Sequence, residues 1–79
     1  MEEILEQVIE IVKETMDVED VTSETLMEDE LGISSLEFYE LLNNLESAFG
    51  IKIPEKILSN VETVEDIAYE VNTILERKG

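Results

Sequence analysis

Two adjacent serines, Ser34 and Ser35, followed by Leu36 and Glu37, are the residues of this chain best placed to do chemistry. They close an irregular acidic stretch and open the most regular helical pattern in the sequence, so Ser35 falls in the first turn of a helix. Backbone N–H groups in that turn have no intrahelical partner, and the aligned peptide dipoles favour negative charge there. A serine at such a place is ready for a phosphate, and Ser35 is the residue on which a function rests. The same four residues also spell a capping box. In that motif Ser34 accepts from the third helical N–H while Glu37 reaches back to the N–H of Ser34. Such a cap is worth about 1 kcal/mol and needs no function to explain it. The two readings are compatible, because a cap at Ser34 holds Ser35 at the first helical position with its hydroxyl toward solvent.

What the chain lacks narrows the chemistry. With no cysteine and no histidine, it has no thiol nucleophile, no serine–histidine pair, no general base of the usual kind near neutral pH and no Cys/His zinc site. Acid is abundant, yet Glu28-Asp29-Glu30 is a run, whereas a calcium loop alternates its ligands around a central glycine and ends on glutamate. No metal site and no catalytic residue are therefore assigned. At 79 residues the chain is read as one domain, 1–79, with a core of modest size. Twenty-one Asp and Glu against 5 Lys and Arg give a formal net charge of −16, which repels nucleic acid and anionic membranes. Basic protein surfaces are steered toward such a chain, at rates that fall as salt rises. Met1-Glu2-Glu3 is acidic where a signal peptide is positive, and no apolar run approaches a bilayer's thickness. The expectation is a soluble, cytoplasmic monomer without stable membrane association.

The elements that position the serines follow from apolar spacing. Residues 2–16 place Ile4, Leu5, Val8, Ile11, Val12 and Met16 three and four apart, an amphipathic helix with acid at its start. Residues 17–34 form a long irregular connection, in which Val18, Val21, Leu26 and Leu31 are the expected pins to the core and Gly32 permits the turn before the serines. A second helix over 35–49 carries Phe38, Leu41, Leu42, Leu45, Ala48 and Phe49 on one stripe and stops at Gly50. Leu36, Tyr39 and Asn43 fall off that stripe, leaving an exposed, partly apolar face flanked by Glu37, Glu40 and Glu46, as on a helix read by another protein. Pro54 starts a short helix over 55–59. The last helix opens at Thr63, with Asp66 completing an approximate capping box and Val64, Ile67, Ala68, Val71, Ile74 and Leu75 as its stripe. The fold class is all-α: a small bundle of three longer helices and one short helix.

Taken together, the order of elements and the residues resemble the acyl carrier proteins and the related peptidyl carrier proteins, over essentially the whole chain. The resemblance is carried by Asp29-Glu30-Leu31-Gly32-Ile33 before the serines and by Ser35-Leu36 at the helix start. It continues in the run Leu45-Glu46-Ser47-Ala48-Phe49-Gly50-Ile51-Lys52-Ile53-Pro54-Glu55 and in Thr63-Val64-Glu65-Asp66-Ile67. It implies that Ser35 is esterified by 4′-phosphopantetheine from coenzyme A, with acyl groups held as thioesters on the prosthetic thiol. A chain without cysteine or histidine can then handle reactive acyl groups, because the cofactor brings the sulfur and other enzymes the catalysis.

By the same resemblance, Ser34, Leu36, Glu37, Tyr39, Glu40, Asn43 and Glu46 lie where the family docks a phosphopantetheinyl transferase and basic-faced synthases, transferases or ligases of fatty acid, polyketide or related acyl biosynthesis. Leu45, Ile53, Leu58, Val61, Ile67 and Val71 are the implied lining of a pocket for the acyl chain. The family's aspartate before the modified serine, an acidic contact for the transferase, is replaced here by Ser34. Asn43 and Ser47 stand where the family commonly has an apolar and an acidic residue, the marks of a specialised carrier. The alternative is a carrier-like acidic helical interaction module that is never modified.

Overall fold

The computed structural model describes residues 2–78, with the side chains of Leu58 and Lys78 outside the described residues. Its elements are α1 (Glu2–Met16), α2 (Ser35–Phe49), a short 3₁₀ helix (Glu55–Asn60) and α3 (Val64–Lys78). α1 begins with Glu2 and Glu3, where the helix dipole favours acid, and buries Val8 and Val12 completely. It ends at Asp17, which takes a left-handed φ of 55°, and the N–H of Val18 donates to the carbonyl of Lys13 at 3.1 Å. α1 packs against both α2 and α3, so it is the plank on which the other two helices are mounted.

α2 buries Phe38, Leu41, Leu42 and Leu45 and stops where Gly50 turns left-handed at φ 64°. There the N–H groups of Gly50 and Ile51 both donate to the carbonyl of Glu46, at 2.8 and 3.2 Å. Ala48 departs from the expected stripe: it is exposed at the seam with α1, beside Ile11, while Phe49 after it still packs against the core. The segment after Pro54 is a 3₁₀ helix one residue longer than the expected 55–59, and the N–H of Ile57 bonds to the carbonyl of Pro54 at 3.2 Å. So short a run favours the tighter three-residue turn.

The 17–34 connection is pinned, with one change in the pins. Val21 is buried and Val18 and Leu31 are partly buried against the core, but the deep anchor is Met27, at 1% exposure, rather than its neighbour Leu26. The cause lies far along the chain. The N–H of Met27 donates to the carbonyl of Glu62 at 2.9 Å, and Leu26 pairs with Thr63 in an isolated antiparallel bridge, so Met27 is turned inward. Two further bonds fasten the same segments, Val64 N–H to Thr25 O at 3.1 Å and Glu65 N–H to Ser23 O at 2.9 Å. Loop carbonyls thereby satisfy donors that the start of α3 would otherwise leave open. Thr25, a buried polar residue, is satisfied as well, since its hydroxyl accepts from the N–H of Thr22 at 2.8 Å.

The expected box at α3 forms completely. Asp66 N–H donates to Thr63 Oγ1 at 3.2 Å, and Asp66 Oδ2 accepts from the N–H groups of Thr63 at 3.1 Å and Glu62 at 3.0 Å. The Glu62 N–H first, then that of Thr63, hold the Asp66 carboxyl below its ordinary value by stabilising the charged form. Val64, Ile67, Ala68 and Val71 are then fully buried along the inner face of α3.

Candidate functional site

The chain reaches the serines through a tight turn. The N–H groups of Leu31, Gly32 and Ile33 donate to the carbonyls of Leu26, Glu28 and Met27 at 3.2, 3.1 and 3.1 Å. Gly32 carries φ 61°, and nothing lies within 4 Å of where a Cβ would stand, so glycine is needed for its backbone and not for room. Ser34 follows in extended conformation (φ −86°, ψ 168°) as the N-cap of α2. Its Oγ accepts from the N–H of Glu37 at 3.2 Å, and its own N–H donates to Glu37 Oε1 at 3.0 Å. The reciprocal box is thus present, and it fixes the direction in which α2 leaves the turn.

Ser35 is the first residue of α2 and is exposed, and among the described residues its hydroxyl has no hydrogen-bond partner. With Glu37 N–H committed to Ser34, the N–H groups of Ser35 and Leu36 are the first-turn donors left to an outside acceptor. The place suits a serine phosphodiester: an accessible hydroxyl, open backbone donors and the positive end of a helix. Beside it is a narrow cleft of about 60 Å³, lined by Met27, Glu28, Ile33, Ser34, Ser35, Phe38 and Val61.

The other expected site residues divide by position. Leu36 is 78% and Tyr39 40% exposed, and Glu40 and Asn43 are exposed with them, so α2 does present a mixed apolar and acidic face running from Ser35. Glu37 and Glu46 belong to the backbone as much as to that face. Both are half-buried, Glu37 in the box and Glu46 with Oε2 accepting from the N–H of Ile53 at 2.6 Å. Of the expected pocket lining, Leu45, Ile67 and Val71 are fully buried and Ile53 nearly so, all in the packed core, while among the described residues Val61 borders the cleft beside Ser35. The side chain of Leu58, also expected in that lining, lies outside the described residues. Sequence spacing missed Met27, Ile33 and Phe38 as cleft walls; the first two sit on the irregular segment and Phe38 reads simply as core.

The sequence matches the phosphopantetheine attachment site family over residues 3–70. The acyl carrier protein of Borreliella burgdorferi is 40% identical over 80 residues, spanning 99% of this chain and 96% of that protein. The chain belongs to the acyl carrier proteins. The acyl carrier protein of Prochlorococcus marinus is 42% identical over the same shares. The fold agrees: a solution structure of holo acyl carrier protein from Geobacter metallireducens superposes with a TM-score of 0.79 at 29% identity, covering 94% of this chain and 87% of that one. The cofactor of this carrier is covalently bound phosphopantetheine. Membership implies interaction with a phosphopantetheinyl transferase and with acyl-processing enzymes. Among the described residues no helix is long and apolar enough to cross a membrane, and no group of carboxylates is placed to hold a metal ion.

Proposed function

We propose that Ser35 is the residue that carries 4′-phosphopantetheine, and that the whole chain, 1–79, works as a single carrier domain in fatty acid, polyketide or related acyl biosynthesis. The observation that supports this most directly is the exposed hydroxyl of Ser35 at the first turn of α2, without a partner among the described residues and presented by the Ser34–Glu37 box. When bound, the group supplies the thiol on which acyl chains ride as thioesters. The chain's own residues present and shelter. Ser34 and Glu37 fix the helix start, the N–H groups of Ser35 and Leu36 would hold the phosphate, and Met27, Ile33, Phe38 and Val61 would offer apolar cover beside it. The chain performs no catalysis itself and acts as a cytoplasmic, monomeric shuttle.

Leu36, Tyr39, Glu40 and Asn43 form the face we assign to the transferase and to basic-faced synthases, transferases or ligases; Ser34, Glu37 and Glu46 border it. A net charge of −16 supports such partners, since it draws basic surfaces at rates that salt suppresses. The test is intact mass after incubation with coenzyme A and a broad-specificity phosphopantetheinyl transferase, on the parent, Ser35→Ala and Ser34→Ala. The parent and Ser34→Ala gain one phosphopantetheine and Ser35→Ala gains none. Modification that persists in Ser35→Ala and vanishes in Ser34→Ala would move the site to Ser34, and failure of all three with every transferase would favour an unmodified interaction module.

A further inference from the structure

A second surface lies away from the serines, in the seam between α1 and α2. Its floor is apolar, made by half-buried Ile11 and by Ala48, the residue that the helical stripe predicts as core but that stands exposed. Two openings share those residues and so form one groove: one of about 430 Å³, bordered by Glu6, Gln7 and Glu10, and one of about 400 Å³, bordered by Glu14, Thr15, Asn44 and Ser47. On α1, Glu6, Glu10 and Glu14 recur every fourth residue, which sets them in one row along the rim. Among the described residues no cation lines either opening. Lys13 pairs with Glu10 at 3.8 Å from outside the groove, an exposed contact of little strength.

We propose that this groove is a second docking surface, and that its occupant is a basic amphipathic helix of a partner protein. The match is one of charge and spacing. A helix laid along α1 repeats with the same period, so Lys or Arg at every fourth position meets the glutamate row, while an adjacent apolar row meets Ile11 and Ala48. The small side chain of Ala48 lets the occupant's backbone come close, and Asn44 and Ser47 supply polar contacts on the far rim. Asn44, the groove residue of α2 nearest the serine, lies nine positions from Ser35, about 14 Å along the axis, so a helix held here leaves the serine open. One protein can then hold the carrier while another works on its cargo. This surface stands whether or not Ser35 is the attachment point.

The test uses the full chain, labelled for NMR, and a capped alanine-based helical peptide of about 16 residues. The peptide carries lysine at every fourth position and leucine on the neighbouring row; a control carries glutamate for lysine. The expected result is saturable amide shifts confined to 6–15 and 44–48, weakened at least tenfold by Ala48→Lys and by raised salt, and absent with the control. Ala48→Lys keeps the parent's far-UV spectrum, since residue 48 is exposed, and accepts phosphopantetheine at the parent's rate. Shifts confined to 36–43, equal binding of the control, unchanged affinity in Ala48→Lys, or no binding would each overturn the proposal.

Discussion

Replacing Ser34 separates its two roles, as helix cap and as the residue standing where the family has aspartate. Ser34→Ala deletes the bond from Glu37 N–H to Ser34 Oγ at 3.2 Å. The other half of the box, from Ser34 N–H to Glu37 Oε1 at 3.0 Å, needs only the backbone of residue 34 and survives. One exposed N-cap is therefore lost, at a cost of about 1 kcal/mol. In a domain of this size that lowers the thermal midpoint by about 4–8 °C. Ser34→Asp keeps an acceptor of equal capping rank. Its new charge is favoured by the helix dipole and opposed by the Glu37 carboxylate, so stability stays within about 0.5 kcal/mol of the parent. Both variants are measured by thermal unfolding and by the initial rate of transferase modification. Ser34→Ala lowers the midpoint and is still modified at Ser35; Ser34→Asp holds the midpoint and raises kcat/KM for modification. An unchanged midpoint in Ser34→Ala would refute the capping argument, and slower modification of Ser34→Asp would refute the role given to the missing aspartate.

Glu46→Ala removes the acceptor for a partly buried Ile53 N–H and should cost about 1.5–3 kcal/mol in urea unfolding, while Glu46→Gln, which keeps an acceptor, costs less. Asp66 has a folded-state value held below its ordinary 3.8, so its stabilisation is complete above that pH and is lost as pH falls through the folded value. Asp66→Asn should accordingly lose stability at pH 6 and show a smaller acid-side loss than the parent below pH of about 4. Asp17→Gly relieves a left-handed non-glycine residue at an exposed site and should raise stability by about 0.5–1 kcal/mol; a lower midpoint would show that the aspartate side chain stabilises this turn. With a formal charge of −16, the fold should melt higher on adding moderate salt or magnesium, which scanning calorimetry can check directly.

Where local chemistry decides, the sequence was a sufficient guide. Ser34 with Glu37, Thr63 with Asp66, and Gly50 each mark a helix end through bonds to residues at most a turn away, and the helices begin and end there. Exposure of Leu36, Tyr39 and Ser35 follows from the same periodicity that buries Phe38 and Leu41. Distant partners were not legible. Met27 faces inward because its N–H meets a carbonyl on residue 62, and Glu46 turns toward the N–H of Ile53 across the end of its own helix. Ala48 obeys the stripe and yet stands exposed, at the mouth of a groove shared with Ile11 of α1, which depends on how the helices pack and not on residue type.

The bond between Met27 N–H and Glu62 O also governs how wide the opening beside Ser35 can be. Met27 and Val61 both line that cleft, and each stands on, or next to, a residue that the bond ties together. Rotating a side chain changes the cleft's outline; parting its walls requires breaking main-chain hydrogen bonds. Because Val64 N–H and Glu65 N–H are fastened to the same loop, the three amides should lose protection together in hydrogen exchange, as one opening unit. The protection of residues 27, 64 and 65 therefore measures the free energy of widening the passage next to the serine, without any cargo being present.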